Sequence, residues 1–203
     1  MKSIDIYTRG RSIFQHIKTD IDTFIQKTGL DIQLNEISDV NAISAQNPKG
    51  IPYLTMKDSN PIHMEQGEYI HVFSSRVRRW IVDAVGAGSM TRVLVPTDFS
   101  EASLNALRYA INRYKGSYTV IELISAHMEV VGSIHDVPVI DNYTLDLLKD
   151  KMAKLVDSLI SDEDNQNLIL KGRIITGPII RSIIQESENL DNTVIYIGSS
   201  GES

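Results

Sequence analysis

Apolar positions recur along this chain with two alternating periods, and each switch marks an element. Ile4 and Ile6 alternate with polar neighbours, which predicts a short strand over residues 3–7. From Ile13 the period lengthens. Ile13, Phe14, Ile17, Ile21, Phe24 and Ile25 form one helical stripe, and Gly29 is placed to end that helix as its C′ residue. Leu30, Ile32 and Leu34 alternate as a second strand, after which Asp39 can cap a short helix through Ala45. Residues 51–56 and 61–64 read as a hairpin. A last helix in this half carries Ile70, Phe73, Val77, Trp80, Ile81 and Ala84 on one side, so the order is βαβαββα.

The second half is more regular. Strands are predicted over residues 91–96, 118–127, 168–176 and 193–197, and helices over 100–114, about 143–160, and 178–188. Leu148, Met152, Leu155 and Leu159 give the middle helix its stripe, and Pro178 suits a first helical position, where its missing N–H costs nothing. Strict alternation of strand and helix predicts an α/β unit: a doubly wound parallel sheet with helices on both faces. In such sheets ligands sit beyond the carboxyl ends of the strands, where strand order reverses. The loops after Pro96, His127, Thr176 and Ile197 are therefore the ones to inspect.

Charge sharpens the division. Residues 1–90 carry 10 Lys+Arg and 10 Asp+Glu, whereas residues 91–203 carry 10 and 16, so the whole net charge of −6 lies in the second half. Gly86-Ala87-Gly88-Ser89-Met90 separates the halves and has linker composition. The expected organisation is one domain over 1–86, a linker over 87–90 and a second domain over 91–203. With 42% hydrophobic residues the chain has ample material for packed cores. It has no cysteine, which excludes thiol catalysis, disulfides and any Cys-ligated metal. The acidic balance argues against a nucleic-acid partner. No apolar run approaches ~18 residues and the start MKSIDIYTRG has no signal-peptide core, so no membrane partner and a cytoplasmic location are expected.

Two loops carry candidate chemistry. Strand 91–96 ends in Val95-Pro96-Thr97-Asp98-Phe99-Ser100 directly before a helix. An Asp there can accept hydrogen bonds from a base or ribose; Asp98 or Ser100 can equally be a helix cap worth ~1 kcal/mol. The last strand runs into Ile197-Gly198-Ser199-Ser200-Gly201, where glycines let backbone N–H groups approach a phosphate or simply make a turn.

Taken together these segments resemble the universal stress protein (UspA) family over almost all of residues 91–203. The resemblance is carried by Arg92-Val93-Leu94-Val95-Pro96-Thr97-Asp98-Phe99-Ser100-Glu101-Ala102-Ser103 with Ala106, Leu107 and Ala110. His127, Gly172, Gly177 and residues 194–201 continue it. It implies strand order 3-2-1-4-5 and, in nucleotide-binding members, ATP or another adenine nucleotide between strands one and four. Carried over, Pro96, Thr97, Asp98 and Met128 lie near adenine and ribose. Gly198, Ser199 and Gly201 belong to the start of the G-x2-G-x9-G-(S/T) phosphate loop. The sequence stops at Ser203, before the third glycine, its Ser/Thr partner, the fourth helix and the fifth strand. Each lost charge-assisted hydrogen bond forfeits ~1.5–3 kcal/mol, so weakened triphosphate binding is expected. A homo-oligomer or a protein partner is then expected to cover the shortened sheet.

The first half resembles the thioredoxin-like fold over residues 1–86, closest to glutaredoxins and the N-terminal domains of glutathione transferases. The matching pieces are Ile6-Tyr7-Thr8, Ile51-Pro52-Tyr53-Leu54 and Gln66-Gly67-Glu68-Tyr69-Ile70. The resemblance implies a cis bond before Pro52, although Pro52 also suits the first position of an edge strand. Where the family has CxxC this chain reads Ser12-Ile13-Phe14-Gln15, so disulfide exchange is impossible. Ser12 or Tyr7 could instead stabilise a glutathione thiolate, with Pro52 and Gln66 completing the site; Ser12 is also an ordinary helix cap.

The five histidines show no metal-binding spacing, and no metal is expected. Arg76, Arg78 and Arg79 read as a solvated basic face, and residues 162–165 as a polar loop. No catalytic residue is assigned. The expectation is a stress-response regulator acting by binding, with a redox-inactive interaction domain; the alternative is a glutathione-linked transferase-like enzyme using Ser12 or Tyr7.

Overall fold

A computed structural model of the chain describes residues 2–7, 12–37, 52–127, 133–134, 137–138, 142–188 and 192–199. It divides into two compact units, Met1–Met90 and Thr91–Ser203.

The first unit contains β1 (Lys2–Tyr7), α1 (Ser12–Thr28), β2 (Ile32–Ile37), β3 (Tyr53–Met56), β4 (Ile62–His63) and α2 (Ile70–Val85). Its sheet has the order β2-β1-β3-β4, with β1 parallel to β2 and antiparallel to β3. Ile4 and Ile6 of β1 alternate inward and are fully buried, as are Phe14, Ile17, Ile21 and Phe24 of α1. The α1 stripe thus lies where the 3.6 period placed it. The helix expected over 39–45 lies outside the described residues, and so does Ile51, where the bond to Pro52 begins.

Helix α2 departs from its expected face. Phe73, Val77 and Ile81 are fully buried, but Ile70 is 39% exposed, and Trp80 is half-buried with its indole N–H donating to the Asn60 carbonyl at 2.8 Å. Ser74, Ser75 and Arg78 are buried in their place. Arg78 is only 2% exposed and pairs with Asp20 of α1 at 2.5 Å, while Arg76 pairs with Glu68 at 2.7 Å. Arg78 and Arg76 therefore do not form a solvated basic face. Their partners lie on another helix and in the preceding turn, where the local charge run gives no sign of them. Residues 87–90 fall in the first unit: Ser89 donates to the Thr28 carbonyl at 3.1 Å, and Met90 is buried.

The second unit contains β5 (Thr91–Pro96), α3 (Glu101–Tyr114), β6 (Thr119–His127), a small antiparallel pair β7 (Ser133–Ile134) and β8 (Val137–Pro138), and α4 (Asn142–Ile160). These are followed by β9 (Leu168–Thr176), α5 (Ile179–Glu188) and β10 (Thr193–Ile195). Its main sheet is parallel throughout with order β10-β5-β6-β9. Those are the first four strands of the 3-2-1-4 order implied by the family resemblance. Strand β6 is buried along almost its whole length, as a central strand covered on both faces must be. The polar 162–165 segment holds a short 3₁₀ turn (Glu163–Asn165) in which Asn165 is buried, its amide donating to the Leu159 carbonyl at 3.0 Å.

Register sorts the second core. Val95, Leu123 and Gly172 share one face. A β-carbon on Gly172 would lie 2.7 Å from Met152 Sδ and 3.1 Å from Val156 Cγ2, so α4 presses on that face. The opposite face carries Arg92, Glu122 and Arg173. The buried Glu122 carboxylate accepts from Arg92 Nε at 3.0 Å and from Arg173 Nε at 2.9 Å, which ties three strands together.

Candidate functional site

Strand β5 ends at Pro96, and the chain turns sharply into α3. The turn is built from hydroxyls. Phe99 N–H donates to Thr97 Oγ1 at 3.0 Å, Thr97 Oγ1 lies 3.0 Å from Ser103 Oγ, and the Ser103 hydroxyl donates to the Ser100 carbonyl at 2.9 Å. One proton order satisfies the chain: Thr97 donates to Ser103 and accepts from Phe99. The Thr97 bond helps hold Phe99 at φ 63°, a left-handed conformation that costs an ordinary residue energy. Lys151 of α4 sits over the Phe99 ring at 4.5 Å. Ser100 caps α3 by accepting from Ser103 N–H at 3.3 Å.

Asp98 is exposed at the mouth of this turn, and Ser100 N–H donates to its Oδ1 at 2.9 Å. Hydrogen bonding by Ser100, through its side chain and its N–H, holds its carboxyl down to about 2 from the ordinary 3.8. Asp98 is thus ionised at any physiological pH, and part of its acceptor capacity is spent within the turn.

The second wall comes from the far side of the sheet order. Tyr196 N–H donates to the Leu94 carbonyl at 3.0 Å, which carries β10 pairing one residue past Ile195. The Tyr196 ring packs on Tyr109 and Tyr114 of α3 at 5.5 and 6.3 Å. This delivers Gly198 onto the first turn of α3, where a β-carbon would overlap the Ala102 carbonyl group and lie 2.7 Å from Ser103 N. Gly198 is therefore required by backbone packing whether or not a phosphate approaches it.

Between these walls lies a cavity of about 620 Å³. Pro96, Thr97, Asp98 and Gly198 all line it. Ser199 is exposed and is not among the lining residues; Met128 and Gly201 lie outside the described residues. Sequence reasoning missed Ala102, Ser103, Ser125, Ala126, Ile179 and Ile197 as lining residues and weighed Ser100 only as a cap. Ser100-x-x-Ser103 at a helix start was a legible signal for two of them; Ser125 and Ile179 arrive only through the sheet order. At the end of β6, His127 is buried, and its Nε2 has no hydrogen-bond partner among the described residues. No group of three or more potential metal ligands occurs among the described residues.

In the first unit Ser12 is exposed at the start of α1, and Gln66 is exposed in the turn before α2. Pro52 is buried, its carbonyl accepting from Met64 N–H at 3.0 Å. Tyr7 packs its ring on Tyr53 at 5.3 Å, and burial followed by Tyr7 raises the Tyr53 phenol. Among the described residues no hydrogen bond joins Ser12, Pro52 and Gln66.

Residues 90–203 match the universal stress protein family. Among solved structures the chain is similar to universal stress protein UspA from Lactobacillus plantarum: 20% identity over 55% of this chain and 81% of that one, at a TM-score of 0.41. A universal stress protein family member from Burkholderia pseudomallei is 14% identical over 55% of this chain and 84% of its own, at a TM-score of 0.43. No curated protein matches the chain.

Proposed function

Since the chain belongs to the universal stress protein family, we propose that it is a stress-response regulator of that type whose second unit binds an adenine nucleotide between β5 and β10. One observation carries the reading: a single cavity gathers Pro96, Thr97 and Asp98 from one strand end and Gly198 from the other. Its size lies within the range of small-molecule sites. Asp98 and the hydroxyls of Thr97, Ser100, Ser103 and Ser125 supply hydrogen-bonding groups for base and sugar, while Ile179 and Ile197 supply apolar walls. Among the described lining residues none is arranged as nucleophile and base, and the proposed activity is binding rather than turnover.

The first unit serves as a redox-inactive, thioredoxin-like interaction module. The mixed sheet with β1 at its centre supports this, and the lack of cysteine removes the usual chemistry. Ile180 and Ile184 of α5 stand exposed and β10 is the edge of the described sheet, and a second copy or a protein partner covers them in the proposed assembly. No helix among the described residues is long and apolar enough to cross a membrane.

Isothermal titration of ATP into the intact chain and into Asp98→Ala tests the nucleotide site. Saturable heat that weakens in the variant is expected. No heat with either ATP or adenosine at millimolar concentration removes the reading.

A further inference from the structure

Phe99 joins two residues that line the crevice, Asp98 and Ser100, yet it is not a lining residue itself. Its backbone is left-handed at φ 63°, a region that glycine enters freely and a bulky side chain only against steric resistance. Glycine would be the ordinary residue for such a turn. What phenylalanine adds is its ring, half-buried, with the Lys151 ammonium of α4 over it at 4.5 Å. Lys151 is exposed, but its backbone is anchored. The next residue, Met152, is buried against β9 at Gly172, and Val156 is buried one turn further on. The ring thus ties the turn to a helix that the sheet holds in place.

The conformation at Phe99 also aims two N–H groups within the turn. The Phe99 N–H reaches back two residues to Thr97 Oγ1 at 3.0 Å, and the Ser100 N–H reaches back two residues to Asp98 Oδ1 at 2.9 Å. The planar peptide groups on either side of the Phe99 Cα carry those donors, so rotation about its backbone bonds swings one against the other. At φ 63° both bonds form at once, with Thr97 3.0 Å from Ser103 and the Asp98 carboxylate fixed at the crevice mouth. An exposed carboxylate without such a bond would lose its rotamer freedom on meeting a ligand, and affinity would fall accordingly.

We propose that Phe99 is a positioning residue of the crevice: its contact with Lys151 holds the left-handed turn, and the turn presents Thr97 and Asp98 to base and sugar before the ligand arrives. The role rests on the nucleotide reading above. Phe99→Gly relieves the steric conflict and also frees the turn, so binding weakens although the backbone is less strained.

The test is titration of adenosine and ATP into the intact chain and into Phe99→Gly, Phe99→Tyr and Lys151→Gln, together with amide hydrogen exchange of the unliganded proteins at neutral pH. Phe99→Gly is expected to bind both ligands about three- to tenfold more weakly, the scale of freeing one residue's backbone. Its amides at positions 99 and 100 should exchange about tenfold faster after correction for intrinsic rates. Phe99→Tyr keeps an aromatic face for Lys151 and should retain both affinity and protection. Lys151→Gln should move both quantities the same way as Phe99→Gly by a smaller factor. If Phe99→Gly does not fold, Lys151→Gln decides: unchanged affinity and exchange there overturn the proposal. Unchanged affinity in a folded Phe99→Gly overturns it whether or not the amides stay protected. An equal loss of affinity in Phe99→Tyr and Phe99→Gly also overturns it, because the aromatic face then makes no difference. These outcomes leave the nucleotide reading standing, whereas an unaltered chain that binds neither ligand removes that reading and the binding role of Phe99 with it.

Discussion

Gly198 lies so close to Ala102 that a β-carbon at position 198 would overlap the Ala102 carbonyl group. The obstacle is helix backbone, which cannot rotate away as a side chain can. Gly198→Ala should therefore destabilise the second unit by about 1–3 kcal/mol, the usual range for overpacking. Gly172→Ala meets the flexible Met152 side chain and should cost less, with most of the loss restored by a smaller residue at 152. Urea unfolding of the three variants checks this ranking; equal losses for Gly198→Ala and Gly172→Ala would contradict it.

Glu122 is the shared acceptor of two arginines on one sheet face. Glu122→Gln leaves Arg92 and Arg173 facing each other with only a neutral amide between them. Because Arg173 remains 38% exposed in its side chain, the expected loss is about 2–4 kcal/mol rather than the full cost of an orphaned buried charge. The denaturation midpoint of the variant measures it, and a shift corresponding to under about 1 kcal/mol would show that solvent substitutes for the carboxylate.

Arg78 and Asp20 join α2 to α1 in the first unit. Asp20→Asn should destabilise that unit measurably, since it removes the charge opposite a guanidinium that is almost wholly buried. Arg78→Met, which keeps the volume and removes the charge, should be tolerated better than Asp20→Asn. The reverse ranking in thermal unfolding would mean that the ion pair is not what holds Arg78 inside.

Asp98 makes stability depend on pH in one direction. Its folded-state carboxyl lies below the ordinary 3.8, so ionisation favours the folded state above that value. The contribution is fully present from about pH 5 upward and is lost as the pH falls through about 4 towards 2. The stability gap between the unaltered chain and Asp98→Ala should therefore narrow over that window. A gap that stays constant from about pH 6 to about pH 3 would show that the hydrogen bonds from Ser100 do not discriminate the ionised form.

Much of the second unit was legible because its signals are local. The apolar runs of β5 and β6, the strand end before Asp98 and the cap at Ser100 all lie within one turn or one strand of the feature they predict. What stayed hidden is what the sheet order assembles. Ile179 lines the crevice some eighty positions from Asp98, and Gly198 owes its identity to the backbone of Ala102. Arg78 is similar: it stands between Arg76 and Arg79 in sequence, so it reads as surface, and only the packing of α2 on α1 brings Asp20 to it. On α2 the apolar stripe lay close to the truth but was rotated, because Trp80 keeps its polar edge outward to reach Asn60.

The most direct test of the central claim is where a nucleotide perturbs the protein. In a two-dimensional amide NMR titration with ATP or adenosine, shifts should concentrate on Thr97, Asp98, Ser100, Ser103, Ser125 and Gly198, the residues of one crevice drawn from three separate segments. Shifts confined to other residues, or none at saturating ligand, would contradict the assignment of this crevice as the nucleotide site.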